Sequence, residues 1–197
     1  MTEYYFDIET TGLDPRSDEL LALAYQKIQW KSPSGNLQIL ARWNTKSETE
    51  LLNNIISLGV FDSENPFQFI PVGTNLRFDL SFILGRCFAK RLLEWDQQRL
   101  TEFYVQKPMK DIAYSLVLMN NGRFSGSGLD TFTSLKPSDG SVVPKLWSER
   151  NYRGIEDYIR ADAAGFFQVY QAITADLEQL GARLRSETEH GGSSSNR

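Results

Sequence analysis

Cysteine and histidine are almost missing from this chain. Its 197 residues include one cysteine, Cys87, and one histidine, His190. A single cysteine excludes a disulfide within the chain and a zinc site built from several thiolates. A lone histidine disfavours histidine-based catalysis and a histidine-ligated transition metal. Any enzymatic chemistry must therefore be carried by carboxylates, tyrosine, serine, lysine or arginine.

Long hydrophobic runs and an excess of positive charge are lacking as well. No run approaches the ~20 apolar residues of a membrane span, and no basic-then-apolar leader is present. We therefore expect a cytoplasmic protein that does not bind membranes. The formal net charge of −4 disfavours a large nucleic-acid footprint but allows a small one. Hydrophobic residues make up 41% of the chain, which is enough for the core of one α/β domain.

Apolar patterning predicts strands early in the chain and mainly helices later. The predicted strands span 3–9, 20–30, 37–43, 69–73 and 108–112, with a hairpin turn at 33–36. Helices are predicted from Ser47, over 80–95, after 112 to about 119, and over 155–184. The Gly-, Ser- and Pro-rich stretch 120–151 is predicted to be mostly loop, with a helical patch near 129–135, and 186–197 a disordered tail. This order predicts an α/β fold with a mixed sheet flanked by helices.

Two carboxylates, Asp7 and Glu9, stand at the end of the first predicted strand. Their i, i+2 spacing places both side chains on one face of the strand. Neighbouring carboxylates repel each other unless a multivalent cation lies between them. The turn sequence that follows puts the pair at the carboxyl end of a strand, where α/β sheets usually carry their sites. A metal site and a solvent-facing pair are both open on this evidence.

Further acidic residues have less specific settings. Asp79 ends the segment Asn-Leu-Arg-Phe-Asp after the fourth predicted strand, where a carboxylate is ordinarily a helix cap or dipole partner. Asp162 follows Tyr158 by four residues in the last predicted helix, so the two share a helix face that is ordinarily solvated. Asp111 also lies near a strand end, and we expect a structural role for it.

In chain order, these motifs resemble the DEDD superfamily of 3′→5′ exonucleases, in its tyrosine-type branch (DEDDy). Phe-Asp-Ile-Glu-Thr-Thr-Gly-Leu, from residue 6, is the specific motif, and residues 72–82 resemble the second motif of the proofreading domains of family B DNA polymerases. The histidine-type branch would need a histidine four or five residues before the last aspartate, where this sequence has none. The resemblance implies a ribonuclease-H-like fold with a mixed five-stranded sheet, in an exonuclease domain of residues 1–185.

The resemblance also implies two Mg²⁺ or Mn²⁺ ions per site, held by Asp7, Glu9, Asp79 and Asp162. Carboxylate oxygens select these ions over zinc, and two ions about 3.5–4 Å apart can activate water and stabilise a phosphoryl group. Asp7 would bridge both ions. Glu9 and Asp162 would complete the site of the attacking water, and Asp79 would hold the second ion mainly through water. Tyr158 would position the water rather than act as a base, because a phenol with a pKa of about 10 is a poor base at neutral pH.

By the same resemblance, the substrate lies at the turn after the first strand. Thr11 would lie near the 3′-hydroxyl and Leu13 against the last base. Asn75 and Phe78 are pocket candidates, with turn stabilisation and core packing as their respective alternatives. Phe124 is expected either to stack on a base or to anchor its loop on the core. Basic residues around the loop stretch are candidates for phosphate contacts, with ordinary solvated charges as the alternative for most of them: Lys107, Lys110, Lys136, Lys145, Arg150 and Arg153.

The expected function is that of a metal-dependent 3′→5′ exonuclease that releases nucleoside monophosphates from single-stranded DNA ends, with a role in DNA repair. One alternative is a 3′→5′ exoribonuclease or oligoribonuclease of the same fold, since only the surroundings of the 2′-hydroxyl distinguish the two. The other is a non-catalytic nucleic-acid-binding subunit, which the presence of all four carboxylates and the tyrosine disfavours. The expected partner is the 3′ end of a single strand, with DNA favoured over RNA.

Overall fold

The strands form a single mixed sheet. A computed structural model describes residues 1–135 and 140–191, with side chains up to Ser186. The strands are β1 (Glu3–Thr10), β2 (Leu20–Gln29), β3 (Ser32–Ala41), β4 (Ile70–Gly73) and β5 (Lys110–Asp111). They lie in the order β3-β2-β1-β4-β5. The first three are antiparallel neighbours, whereas β4 and β5 run parallel to β1. The predicted mixed five-stranded sheet is therefore confirmed.

Helices cover both faces of the sheet. They are α1 (Glu48–Ser57), α2 (Leu76–Ala89), α3 (Gln97–Gln106), α4 (Ala113–Met119), α5 (Leu129–Phe132), α6 (Val142–Ser148) and α7 (Tyr152–Gly191). Phe6 and Ile8 of β1 pack with α1, α2 and α3 on one face. Tyr5 points to the opposite face and packs with α7. Successive side chains of β1 thus point into two different cores, one on each face of the sheet. Asp7 and Glu9 point to the face that α7 covers.

A close approach of β4 to β1 places the start of α2. A Cβ atom on Gly73 would lie 2.5 Å from the carbonyl oxygen of Phe6 and 2.8 Å from Leu76 Cδ2, so this close approach of the two strands requires glycine. Helix α2 begins three residues later. Its first turn, which carries Asp79, therefore lies beside the carboxyl end of β1.

The start of α2 is capped from another strand. The carboxylate of Asp111 on β5 accepts hydrogen bonds from the backbone N–H groups of Asn75, Leu76 and Ala113, each at 2.9 Å. Asn75 has a left-handed backbone, with φ at 60°, and its own side chain makes no capping bond. The remote carboxylate thus satisfies donors that a local N-cap usually satisfies. The structural role expected for Asp111 is confirmed.

The connection between β1 and β2 is hydrogen-bonded to two of the helices, α1 and α2. Arg86 of α2 donates from Nε and Nη2 to Glu48 of α1 over 2.8 and 2.6 Å. Arg86 Nη1 also donates to the carbonyl oxygen of Pro15 at 2.9 Å. Glu48 Oε1 in turn accepts from the backbone N–H of Leu20 at 3.0 Å. This buried network holds the turn that follows Asp7 and Glu9.

The predicted β2–β3 turn is wrong. The chain reverses at Trp30 and Lys31, whose φ angles are 53° and 65°, and not at 33–36. Residues 33–36 belong to β3, which is an edge strand and therefore tolerates Pro33. A register shift between Tyr25 and Lys27 accommodates the irregular part of this pairing.

Several helix boundaries also differ from prediction. Helix α2 spans 76–89 rather than 80–95, and α3 and α6 were not predicted at all. Helix α7 begins at Tyr152 and its backbone runs to Gly191, past the predicted start of the tail at 186. The rest of that tail, from residue 192, lies outside the described residues, as does Lys136. Within the described ranges, every helix is too short or too polar to cross a bilayer.

Candidate active site

Asp7 and Glu9 end β1 on the face that α7 covers. The period of two along the strand aligns them with Tyr5, which packs under α7. Glu9 is buried and Asp7 is half-buried. Regular pairing with β2 is interrupted directly after Glu9, where the register shifts. The two carboxylates therefore lie where the strand ends and a pocket opens.

A pocket of about 220 Å³ joins this strand end to α7. We call it the acidic pocket. Asp7 and Asp162 both line it, although they come from the two ends of the described fold. Its other lining residues are Tyr5, Thr74, Gly128, Leu129, Asp130, Gly140 and Phe166.

Asp79 adds a buried carboxylate beside this pocket. It is 5% exposed, and among the described residues its Oδ2 atom has no hydrogen-bond partner. Burial raises the pKa of Asp79 well above its ordinary value, and the charges of Asp7, Glu9, Asp111 and Asp162 raise it further. Such repulsion acts between charges in the same region of the fold. All four carboxylates that the sequence singled out therefore lie around the carboxyl end of β1, with Asp7 and Asp162 in one pocket.

Tyr158 and Asp162 are both buried on α7, at 6% and 5% exposure, so the solvated-face alternative is wrong. The Tyr158 hydroxyl lies next to Gly140, where an added Cβ atom would be 3.7 Å from it. Asp162 Oδ2 accepts a hydrogen bond of 3.1 Å from the hydroxyl of Tyr5. One turn of α7 therefore presents a phenol and a carboxylate to the end of β1.

Tyr5 is the site residue that sequence reasoning missed. Burial raises the pKa of its phenol well above the ordinary value, and the charges of Asp7, Asp162 and Glu9 raise it further. The phenol is therefore a stable hydrogen-bond donor. A signal was available, because Tyr5, Asp7 and Glu9 alternate along one strand and must share a face.

A second cavity, of about 440 Å³, adjoins the acidic pocket. We call it the apolar cleft. It contains Glu9 together with two predicted substrate contacts, Leu13 and Phe78. Leu13 is 80% exposed, and Phe78 is half-buried against Phe82, with ring centroids 5.8 Å apart. The remaining lining residues are Ile8, Thr10, Gly12, Gly140, Ser141 and Pro144.

Thr11 and Asn75 have local hydrogen-bonding roles. Thr11 Oγ1 accepts from the backbone N–H of Glu19 at 2.9 Å, which closes the loop after β1. Asn75 is exposed and forms the left-handed residue before α2. A substrate contact of either side chain stays a prediction.

Phe124 is displayed on a hydrogen-bonded loop. Its side chain is 76% exposed, so the alternative of an anchor on the core is wrong. The side-chain amide of Asn120 donates to the carbonyl oxygens of Arg123 and Ser125, both at 2.9 Å. Ser127 Oγ donates to the carbonyl oxygen of Phe124 itself at 2.6 Å. The loop therefore holds an aromatic ring in solvent.

Two of the basic candidates for phosphate contacts are engaged elsewhere. Lys107 is buried, donates to the carbonyl oxygen of Pro66 at 3.3 Å, and lines a pocket with Ser63 and Arg99. Burial lowers its pKa to about 8. Lys110 pairs with Glu3 at 2.6 Å. Three other candidates are exposed: Lys145, Arg150 and Arg153.

The donor set suits a hard divalent cation. The pocket offers carboxylate oxygens from Asp7 and Asp162, and Asp79 adds a buried oxygen that lacks a hydrogen-bond donor in the described part of the chain. Mg²⁺ and Mn²⁺ prefer such oxygen ligands. Within residues 1–135 and 140–186, no three His, Cys, Asp or Glu side chains are grouped closely enough to hold an ion as they stand. The chemistry of the residues fits these ions.

No protein-family model and no curated protein matches the chain. Among solved structures, it is similar to exonuclease I from Methylocaldum szegediense, described as moderately thermophilic, with 20% identity over 64% of this chain and a TM-score of 0.42. It is also similar to an exonuclease I in its apo form, with 16% identity over 64% of this chain and a TM-score of 0.43. The chain spans about a third of the length of these proteins, at 30% and 32%. The function of this chain is therefore inferred from its own side chains.

Proposed function

We propose that this chain is a metal-dependent 3′→5′ exonuclease of the tyrosine type, acting on single-stranded DNA ends. The observation that carries the proposal is the acidic pocket, in which Asp7 of β1 and Asp162 of α7 line one cavity. Buried Asp79 adds a carboxylate oxygen without a hydrogen-bond partner among the described residues; burial raises its pKa, and the charges of Asp7, Glu9, Asp111 and Asp162 raise it further. Like charges are gathered in this way where a multivalent cation neutralises them.

These four carboxylates would hold two Mg²⁺ or Mn²⁺ ions. When bound, such ions supply a nucleophilic water at neutral pH and stabilise the charge on the phosphoryl oxygens. The protein supplies a site from which much of the bulk water is excluded, since Glu9, Asp79 and Asp162 are all buried. Charge interactions are stronger in such surroundings than in water.

Tyr158 would orient the attacking water. It lies one turn before Asp162 and its hydroxyl adjoins Gly140, which lines both the acidic pocket and the apolar cleft. A phenol at this boundary can hydrogen-bond to a water that approaches the scissile phosphate. Its role is orientation rather than proton removal, because an ordinary phenol is protonated at neutral pH.

The apolar cleft would receive the 3′-terminal nucleotide. Leu13 and Phe78 offer apolar surfaces for the last base, and Glu9 lies in the same cleft. A terminal base seated there would bring its phosphate toward the acidic pocket. Thr11, in the loop beside Leu13, is proposed to contact the 3′-hydroxyl. Phe124 would stack on a base further from the end, since exposed aromatics bind bases without regard to sequence.

End-labelled single strands of DNA and RNA test this proposal. With Mn²⁺ we expect stepwise shortening from the 3′ end and release of nucleoside monophosphates, no reaction in EDTA, and faster reaction on DNA. A 3′-phosphate should block the reaction, and a 5′ block should not. Faster reaction on RNA would favour the exoribonuclease alternative. Binding without cleavage would favour the non-catalytic subunit, and cutting of circular single strands would overturn the exonuclease assignment.

A further inference from the structure

We propose that Tyr5 is a positioning residue for the metal site, and that it acts by fixing the orientation of Asp162. The inference deepens the proposed function and rests on it. Its basis is the hydrogen bond from the Tyr5 hydroxyl to Asp162 Oδ2, which is buried and joins residues 157 positions apart.

The phenol ring is held independently of this bond. Its centroid lies 4.8 Å from that of Phe166 and 5.6 Å from that of Phe167. Tyr5 is 1% exposed, so the ring cannot turn without disturbing the core. The hydroxyl is therefore a fixed donor, and the Asp162 side chain adopts the rotamer that meets it.

Asp162 needs such a donor because its neighbours repel it. Asp7 shares the acidic pocket with it, and the charge of Asp162 also reaches the buried Asp79, whose pKa it raises. A neutral phenol attracts one carboxylate oxygen without adding charge of its own. With Oδ2 hydrogen-bonded in this way, the Asp162 carboxylate would meet an ion in a single orientation.

The hydrogen bond also links the two structural elements that carry most of the ligands. Tyr5, Asp7 and Glu9 lie on β1, whereas Asp162 lies on α7. Any displacement of α7 relative to the sheet would change the distance between Asp7 and Asp162. The hydrogen bond from the Tyr5 hydroxyl therefore connects β1 to α7 directly beside the proposed metal site. Partners that orient metal ligands in this way typically change metal affinity by about 10–100-fold when they are removed.

Tyr5→Phe tests the proposal by calorimetric titration with Mn²⁺, which needs no substrate. We expect apparent affinity for Mn²⁺ to fall about tenfold or more. The Mn²⁺ concentration for half-maximal nuclease activity should rise by a similar factor, and the rate at saturating Mn²⁺ should largely recover. Tyr170→Phe is the matched control, because Tyr170 of α7 is also a buried tyrosine and its ring stacks on Phe166, with ring centroids 5.4 Å apart. It should bind Mn²⁺ as the wild type does.

The outcomes separate this inference from the proposed function. A wild-type protein that binds no Mn²⁺ overturns both. Wild-type binding with an unchanged isotherm for Tyr5→Phe overturns only the role of Tyr5. In an Asp162→Asn background, Tyr5→Phe should cause no additional loss of affinity, because the phenol acts through that carboxylate. An equal further loss there, or loss of the folded circular dichroism spectrum in Tyr5→Phe, would show that the phenol serves the core instead.

Discussion

Arg86 and Glu48 form a buried ion pair with two hydrogen bonds, of 2.8 and 2.6 Å, beneath the turn that follows β1. Removing Arg86 leaves the buried Glu48 carboxylate with the more distant and partly exposed Lys90, at 3.5 Å, and breaking a buried pair typically costs about 3–5 kcal/mol. Arg86→Met should therefore lower the free energy of unfolding by about that amount, measured in urea. The double variant Glu48→Gln/Arg86→Met should lose less, because no charge is stranded. A loss in Arg86→Met no larger than that of an exposed substitution would contradict this assignment.

The same pair gives a pH dependence with a definite sign. Burial alone would raise the pKa of Glu48, but the hydrogen bonds from Arg86 and from the backbone N–H of Leu20 outweigh burial and lower it. The stabilisation is therefore complete above the unfolded pKa of about 4.3 and is lost as pH falls through the folded pKa. Acid titration of the melting temperature should show a smaller fall for Glu48→Gln than for the wild type.

Asp7→Ala should remove nuclease activity while the fold survives. Asp7 is the ligand expected to touch both ions, so the rate should drop by about a thousandfold or more. In the wild type, millimolar Mn²⁺ should raise the melting temperature, since a ligand that binds only the folded state stabilises it. That rise should be much smaller in Asp7→Ala. Asp176→Ala, an exposed aspartate on α7, is the control and should keep both properties.

The raised pKa of Asp79 predicts that metal-free protein loses stability as pH rises, which is the opposite of the trend expected from Glu48. Burial and the charges of Asp7 and Glu9 raise its pKa, so the folded state holds the proton more tightly than the unfolded state. That contribution is complete below the unfolded pKa of about 3.9 and is lost as pH rises through the folded pKa. In EDTA, the melting temperature should fall from mildly acid to mildly alkaline buffer. Asp79→Asn should flatten this fall and melt higher at neutral pH; an unchanged profile would rule out the stated cause.

Tyr158→Phe separates positioning from metal binding. The variant should bind Mn²⁺ and substrate normally but react about 10–1000-fold more slowly under single-turnover conditions, because one oriented hydrogen bond is lost. Asp162→Ala, one turn further along α7, should instead weaken Mn²⁺ binding. A wild-type single-turnover rate in Tyr158→Phe would remove the tyrosine-type assignment even if the carboxylates hold ions.

Phe124→Ala should weaken binding of long single strands only. Base stacking on an aromatic ring contributes about 1–3 kcal/mol, so KM should rise roughly tenfold while kcat stays unchanged. A dinucleotide should react as before if the ring meets a base remote from the end. Phe124→Trp should restore KM. Leu118→Ala, with 77% exposure on α4, is the control, and an equal effect there would argue against stacking.

Local signals in the sequence were sufficient for much of the fold. The alternation around Asp7 and Glu9 fixes a strand face. Ser47 before α1 was predicted to begin a helix, and its hydroxyl does accept from the backbone N–H of Glu50 at 3.2 Å. The turn at Trp30 and Lys31 was missed because both residues occupy left-handed backbone without the glycine or asparagine that usually marks it. Helix α3 was missed because its residues are polar on average and Phe103 is its one buried residue.

The parts of the site that were missed depend on contacts between distant segments. The cap that Asp111 provides for α2 joins residues 36 and 35 positions apart, so no local pattern marks it. Tyr5 stands in an apolar strand, and its place on the same face as Asp7 and Glu9 does not by itself name its partner. Its hydrogen bond to Asp162 depends on the packing of α7 against β1, which the sequence does not show. Sequence motifs identified the carboxylates; the tertiary fold determines which neighbour orients each one.

The wide separation of Tyr5 and Asp162 along the chain also affects when activity can arise during folding. A growing polypeptide that ends before α7 contains Asp7, Glu9 and Asp79 but neither Tyr158 nor Asp162. Closing so long a loop is entropically costly and occurs only when the core under α7 forms. A partly synthesised chain therefore lacks part of the site, and under the proposed function nascent protein would leave nearby nucleic acid uncut. On refolding from denaturant, cleavage should reappear no earlier than the docking of α7.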